Sequence, residues 1–245
     1  MQPKNLHITP IPAFEDNYIW LLHNKRNAVV IDPGDALPVL NELKKQSLNL
    51  CGILITHHHS DHIDGVDQIL KQHPVPVYAP KYEQYNFDHI AVSDGDEINI
   101  NDIGLKLNVL WLPGHTLGHI AYVNESLLFC GDVLFGAGCG RLFEGTPKQM
   151  LDSLNRLKKL NPETEVFCTH EYTAKNIDFA LSLEPDNLDL HKRKIEVARL
   201  RKNNQASLPT SIALELKTNP FLRCHQKTII ENSGVEKDDK LSVFS

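Results

Sequence analysis

Apolar residues come in short, strand-length runs over about the first 170 positions and take up helical spacing after them. Asn17–Leu22 and Ala28–Asp32 read as strands, the second closed by Pro33-Gly34. Ala36–Gln46 places Leu37, Leu40 and Leu43 on one helical face. Gly52–Ile55 is a further strand, Val66–Lys71 a short helix, and Val75–Tyr78 a strand with prolines at its margins. Past a turn at Asp94-Gly95-Asp96, the pattern predicts strands over Glu97–Ile100 and Leu105–Leu112. Ile120–Val123 and Leu127–Cys130 read as a hairpin around Asn124-Glu125-Ser126. Pro147–Leu160 is a helix with proline in its first turn, and Glu165–Cys168 is the last strand. From about Ala174 the pattern is helical, most clearly over Leu188–Lys202. The order is that of a layered α/β unit followed by helices, with no internal repeat.

Composition narrows the function classes. The chain has 245 residues, 41% of them hydrophobic and 23% charged, which suits one large domain or a main domain with an appendage. A net charge of −6 without a lysine/arginine block argues against nucleic acid, while leaving room for a local cation that binds a small anion. No apolar stretch approaches a membrane span, and Met1-Gln2-Pro3-Lys4-Asn5 has no signal-peptide pattern. Cys51, Cys130, Cys139, Cys168 and Cys224 are odd in number and never spaced C-x-x-C. Reduced, mostly buried thiols are expected, and with them a cytoplasmic monomer that binds neither nucleic acid nor membrane.

The chemistry is concentrated behind strand ends. Thr56-His57-His58-His59-Ser60-Asp61-His62 packs four of the thirteen histidines and an aspartate directly after Gly52–Ile55. Adjacent imidazoles are poor core material, because each carries a donor and an acceptor that burial must satisfy. They are good ligands for a borderline transition metal. His57 and His59 can turn to one side while Asp61 and His62 turn to another, a spacing that suits two adjacent ions better than one. Three more strands deliver the same residue types. Leu107–Leu112 leads to His115 and His119, Leu127–Gly131 to Asp132, and Glu165–Thr169 to His170. In layered α/β folds ligands converge at the carboxyl ends of strands. Residue type and spacing alone leave His58 and His119 as candidates beside the rest.

These residues resemble the metallo-β-lactamase superfamily, whose mark is H-x-H-x-D-H, and within it the glyoxalase II family, the hydroxyacylglutathione hydrolases. Beyond the histidine cluster, the likeness rests on Asp16-Asn17-Tyr18, Val30-Ile31-Asp32-Pro33-Gly34, Pro113-Gly114-His115-Thr116 with Gly118-His119, and Gly131-Asp132. The more discriminating pieces are Ala137-Gly138-Cys139-Gly140-Arg141, Phe143-Glu144-Gly145-Thr146, Thr169-His170-Glu171-Tyr172-Thr173 and Asn219-Pro220-Phe221-Leu222-Arg223. The resemblance implies a four-layer αββα fold over residues 1–173 and a C-terminal helical, substrate-binding domain over 174–245. It implies one metal held by His57, His59 and His115, a second by Asp61, His62 and His170, and Asp132 bridging the two. His58 and His119 fall outside that set. Zinc is the expected metal in both sites, with iron or manganese also accepting these donors.

The activity so implied is hydrolysis of S-(2-hydroxyacyl)glutathione to glutathione and a 2-hydroxy acid. S-D-lactoylglutathione, formed in methylglyoxal detoxification, is the usual substrate and D-lactate the acid. Two divalent ions about 3.5–4 Å apart can hold a hydroxide at neutral pH. That hydroxide would attack the thioester carbonyl, oriented by Asp61 and Asp132 as the catalytic carboxylates. Rivals on the same fold are hydrolases of lactones, β-lactams or phosphodiesters, a one-iron oxygenase of glutathione persulfide, and a metal-binding or redox-sensing protein without turnover. For substrate binding the resemblance points to Arg141 as a cation for glutathione and to Tyr172 beside His170. Phe143 stands where some relatives have tyrosine and loses one hydroxyl. Many relatives also carry an Arg-x-x-Lys-Asp segment that grips the glycine carboxylate, beginning about where this chain reaches Lys240–Ser245. Weaker grip on that carboxylate is expected unless Arg223 or Lys227 substitutes.

Overall fold

The computed structural model describes residues 6–235 and 239–245; the reading of Met1–Asn5 lies outside the described residues. Two six-stranded sheets face each other. The first runs in chain order through β1 (His7–Ala13), β2 (Asn17–His23), β3 (Asn27–Ile31), β4 (Asn49–Leu54), β5 (Val77–Pro80) and β6 (Ile90–Val92). It is antiparallel up to β3 and parallel from β3 to β6. Helices α1 (Ala36–Gln46), α2 (Ser60–Ile63) and α3 (Val66–Leu70) fill its connections. The second sheet begins as an antiparallel meander of β7 (Glu97–Ile100), β8 (Leu105–Trp111), β9 (Ile120–Val123) and β10 (Leu127–Gly131). A separate hairpin of β11 (Leu134–Phe135) and β12 (Gly138–Cys139) follows, then α4 (Pro147–Leu157). Next, β13 (Glu165–Cys168) pairs parallel to β10, and β14 (Thr210–Ser211) pairs antiparallel to β13. Helices α5 (Thr173–Leu183), α6 (Leu188–Lys202), α7 (Ile212–Thr218), α8 (Lys227–Asn232) and α9 (Lys240–Phe244) make up the rest.

The period-two side-chain alternation of a strand sends the side chains of β2, buried throughout, to two different layers. Ile19 and Leu21 pack with Val39 and Leu43 of α1 and Ile69 of α3. Trp20 and Leu22 turn the other way and join Leu107, Val109, Ala121 and Phe129 of the second sheet in the central layer. Met150, Leu154 and Leu157 of α4 pack onto that same cluster. Helix α4 starts at a capping box between Thr146 and Gln149 and ends at Leu157, three residues short of the end predicted at Leu160. Burying side chains of this size contributes about 1.5–3 kcal/mol each.

Several elements differ from the pattern reading. Strand β1 escapes it because Pro10 and Pro12 break a strand signature; at a sheet edge, where β1 lies, the missing N–H is tolerated. The strand expected over Val75–Tyr78 sits two residues later as β5. Strands β11, β12 and β14 have two residues each and so carry no periodicity to read. All five cysteines are free, three of them buried. No helix among the described residues is long and apolar enough to cross a membrane.

One edge of the sandwich matters most. The Tyr18 N–H donates to Thr169 O at 2.6 Å, and Trp20 Nε1 donates to Cys168 O at 3.1 Å. These bonds tie β2 of the first sheet to the end of β13 in the second. The carboxyl ends of β4, β8, β10 and β13 open along the same edge.

Candidate metal centre

The loop after β4 leaves the sheet extended through His57 and His59 and then turns helical at Ser60, where α2 begins with His59 as its N-cap. That change of backbone separates the two halves of the motif, with Asp61 and His62 carried on α2. The loops after β8, β10 and β13 bring His115, Asp132 and His170 to the same place. Gly131 and Gly140 make room for Asp132. Gly131 has φ +48°, and a Cβ there would lie 2.4 Å from Thr56 Oγ1; a Cβ on Gly140 would lie 1.8 Å from the Asp132 carbonyl oxygen.

Seven side chains converge in overlapping groups of three. His57, His59 and His115 form one, Asp61, His62 and His170 another, and Asp132 joins His57 and His62 in a third, each with its ligand atoms within 4.8 Å of one another. His59 Nδ1 lies 3.0 Å from His57 Nε2 and 2.9 Å from His115 Nε2. Asp132 Oδ2 lies 3.4 Å from His115 Nε2 and 3.3 Å from His170 Nε2, while Oδ1 lies 3.5 Å from His62 Nε2.

The outward-facing ring nitrogens have identifiable partners. His115 Nδ1 donates to Arg141 O at 2.7 Å, and His170 Nδ1 to Asp16 Oδ1 at 2.8 Å. The Thr56 hydroxyl donates to Asp32 Oδ2 at 2.7 Å, so the 3.1 Å contact between Thr56 Oγ1 and His57 Nδ1 is one in which the ring donates. In the His57 and His115 rings Nε2 is thereby left as a lone pair aimed at the cluster, and the bond to Asp16 turns His170 Nε2 the same way. Asn17 Nδ2 donates to Asp61 Oδ2 at 2.9 Å. His62 Nδ1 is 3.1 Å from Asp32 Oδ2, at ion-pair distance but off the line a hydrogen bond needs. His62 Nε2 and Asp132 Oδ1 are buried without a hydrogen-bond partner. Buried orphans are costly, and lone pairs about 3 Å apart repel. A divalent cation relieves both, so the donor set fits a metal centre of the nitrogen/carboxylate kind.

Electrostatics point the same way. Burial, followed by neighbouring histidines, holds His57 well below the usual imidazole range. Burial also lowers His59 and His115. Neutral imidazole is the ligating form. At His62 and His170 burial is outweighed by carboxylates: Asp132 and Asp32 hold His62 well above its ordinary value, and Asp132, Asp61 and Asp16 push His170 up to about 10. Burial opposes ionisation of Asp132, yet His62 and His170 keep it well below the carboxylate range. The cluster thus keeps Asp132 anionic and draws positive charge toward it.

A cavity of about 470 Å³ opens over this cluster, walled by Phe135, Arg141, Phe143, Tyr172 and Asn176. Arg141 lies exposed at its mouth with its guanidinium 5.9 Å from the Phe143 ring centre. Phe143 is 60% exposed and meets His59 and His115 edge-on. The Tyr172 ring stacks on His170 at 4.7 Å, and burial, then Asp16, pushes its phenol up to about 12, so the hydroxyl stays a donor. A larger cleft of about 610 Å³ lies beside the β1–β2 hairpin, but none of the seven clustered side chains lines it. Arg223 does not line the metal-side cavity either: it forms a bidentate pair with Glu184 at 2.9 and 2.6 Å. Lys227 lies 88% exposed, 3.5 Å from Glu231.

Of the two histidines outside the expected ligand set, His119 is stacked on His57 at 4.7 Å and accepts the Asp132 N–H at 3.1 Å through Nε2. His58 spans Glu83 and Glu144 at 3.3 Å each. The pattern reading gave no role to Asp16, Asn17, Asp32 or Thr56, which orient the clustered rings and Asp61. The available signals were the family segments Asp16-Asn17-Tyr18 and Val30-Ile31-Asp32-Pro33-Gly34, and an aspartate ending the apolar run Ala28–Asp32 as Asp132 ends its own.

Comparison with known proteins agrees with this geometry. The metallo-β-lactamase superfamily model matches residues 13–170, and the model described as hydroxyacylglutathione hydrolase C-terminus matches 171–245. A hydroxyacylglutathione hydrolase of Methylobacillus flagellatus is 54% identical over 97% of this chain and 95% of its own length. One of Vibrio cholerae is 51% identical over 98% and 96%. Among solved structures, the BLEG-1 B3 metallo-β-lactamase superposes with TM-score 0.67 at 25% identity, covering 88% of this chain and 99% of that one. ETHE1 from Myxococcus xanthus does so with TM-score 0.67 at 26% identity, covering 95% and 92%. A chain with this fold, this cluster and this extent of identity belongs to the metallo-β-lactamase superfamily and, within it, to the hydroxyacylglutathione hydrolase family.

Proposed function

We propose that this chain hydrolyses S-(2-hydroxyacyl)glutathione, with S-D-lactoylglutathione as the preferred substrate, to glutathione and a 2-hydroxy acid. The observation that carries the reading is the pair of donor groups meeting at Asp132 beneath a cavity with a cation at its mouth. His57, His59 and His115 would hold one divalent cation, Asp61, His62 and His170 a second, and Asp132 would serve both; zinc is the proposed metal. Bound there, the cations supply Lewis acidity that acidifies water and polarises a carbonyl. Residues 1–173 form the catalytic unit in this reading, and 174–245 wall the cavity.

The side chains divide the remaining work. Asp61 and Asp132 accept hydrogen bonds from the reacting water and so orient it toward the thioester. Arg141 binds a glutathione carboxylate, and the Tyr172 hydroxyl donates to the glutathione backbone. Phe143 offers only an apolar ring there. The Cys139 thiol lines the cavity, but burial pushes its pKa far up, so it is no nucleophile. The leaving thiolate, from a thiol of pKa about 8.5, needs little help from a general acid.

Metal analysis of the purified chain, combined with turnover of S-D-lactoylglutathione, a lactone and a β-lactam, tests this directly. Two zinc equivalents and a clear preference for the glutathione thioester are expected; a preference for the lactone or β-lactam refutes the substrate assignment. Arg141→Ala should raise KM by about ten- to a hundredfold, the worth of one charge-assisted hydrogen bond, and alter kcat little. The guanidinium would contact a remote carboxylate equally in ground and transition states. A large fall in kcat at unchanged KM would instead place Arg141 at the reacting atoms.

A further inference from the structure

We infer that Glu215 of α7 and Asn219, just past its end, are positioning residues for the substrate cavity, acting through the β11–β12 turn; the inference rests on the glutathione-thioester reading of that cavity. Four strand residues cannot hold a hairpin on their own, and this one has only two paired positions, Leu134 with Cys139 and Phe135 with Gly138. Its turn also contains Ala137 at φ +56°, a conformation that glycine adopts freely and alanine does not. The shape of the turn must therefore be imposed from outside.

The C-terminal helices impose it. The Ala137 N–H donates to Glu215 Oε2 at 2.9 Å. Asn219 Nδ2 donates to Gly138 O at 2.8 Å and Phe135 O at 3.2 Å, and lies 2.9 Å from Glu215 Oε2. On its other oxygen, Glu215 accepts from Arg193 at 2.6 Å and from Thr210 Oγ1 at 2.7 Å. Glu215 and Asn219 are both 0% exposed. A buried ion pair is seldom better for stability than an apolar replacement of the same shape, so stability alone does not account for it. What Glu215 and Asn219 do that apolar side chains would not is present an acceptor and a donor to three backbone groups of one turn.

That turn carries the cavity wall. The Phe135 ring packs edge-on against His170 at 5.8 Å and against Tyr172 at 5.3 Å. Cys139 and Arg141 follow it into the cavity lining. Loosening the turn displaces Phe135 from Tyr172 and frees the segment that leads to Arg141, the groups that meet glutathione. The seven clustered side chains lie outside residues 134–139 and meet the segment only through the Phe135 ring on His170 and Arg141 O on His115, so the effect falls on substrate affinity more than on the chemical step.

Two variants test this. Asn219→Ala deletes both bonds to the turn carbonyls and leaves the Arg193–Glu215 pair in place; Glu215→Gln keeps the shape and withdraws the charge. Four readouts apply: hydrogen exchange over residues 134–139, metal content, KM and kcat for S-D-lactoylglutathione, and the Kd of the non-hydrolysable S-hexylglutathione. In Asn219→Ala, exchange in the turn should quicken at least about tenfold. KM and Kd should each rise roughly tenfold while kcat stays within about threefold and metal content holds. If Glu215→Gln does not fold, Asn219→Ala alone decides. Unchanged exchange overturns the anchoring, and faster exchange with KM and Kd unmoved overturns the positioning. A fall in kcat and metal content at constant KM overturns it too, since the network would then act on the cluster. A parent chain that does not turn over S-D-lactoylglutathione refutes the functional reading instead, and the exchange measurement still decides the anchoring.

Discussion

Asp132→Ala should leave a folded chain that retains no more than one metal equivalent and loses more than about a hundredfold in turnover. Outer partners of metal ligands typically contribute 10–100-fold when removed, and Asp132 sits closer in than those. Its two carboxylate oxygens face His62 on one side and His115 and His170 on the other, at 3.3–3.5 Å. Without that carboxylate His62 Nε2 loses one of the two anions 3.5 Å from it, Asp61 being the other, and no other described carboxylate lies as close to His115 as Asp132 does. Metal content and steady-state rate, measured on protein whose circular dichroism matches the parent, are the check. Two equivalents with near-parental turnover would remove Asp132 from the bridging role.

A comparable loss is expected for His57→Ala and His59→Ala, and a small one for the residue between them. His57 and His59 place nitrogens 3.0 Å apart inside the cluster. His58 points out of it toward Glu83 and Glu144, with a third of its side chain in solvent. The solvent-exposed pair with Glu144 contributes roughly 0–1 kcal/mol, at most about fivefold in any equilibrium it biases, while Glu83 is buried. Glu83 keeps its bonds from Thr116 and Tyr85 when His58 is removed, so no buried carboxylate is orphaned. His58→Ala should therefore retain its metal and most of its rate. Equal damage from all three substitutions would mean that the outward ring is as much a part of the centre as the inward ones.

The contrast between these three histidines shows what a sequence can and cannot reveal. That the cluster stands at a strand end was legible, because Gly52–Ile55 is apolar and the polar run follows at once. Its division into inward and outward rings depends on where the backbone turns helical, and no propensity in Ser60-Asp61-His62 announces a four-residue helix. The converging residues His115, Asp132 and His170 were legible for the same reason as His57. Their orienting partners were not. Asp32 meets Thr56 only because β3 and β4 run parallel with Ile31 opposite Leu54, and Asp16 meets His170 only because β2 is stitched to the end of β13. Such contacts between distant segments follow from packing, and packing is not local. Likewise β1 was hidden by prolines that only an edge position tolerates.

The strand β14 has a practical consequence for anyone dividing this chain. The two family models meet between residues 170 and 171, yet the second sheet does not stop there: Thr210 and Ser211 return to pair with Val166 and Glu165. A fragment ending near residue 173 would leave β13 with an open flank of unpaired N–H and C=O groups. It would also uncover apolar surface that Leu208, Ile212 and Leu222 now shield. Open, apolar sheet margins recruit other chains. Expressed alone, that fragment is expected to accumulate as insoluble material, and a soluble monomer by sedimentation would show that the two parts fold independently.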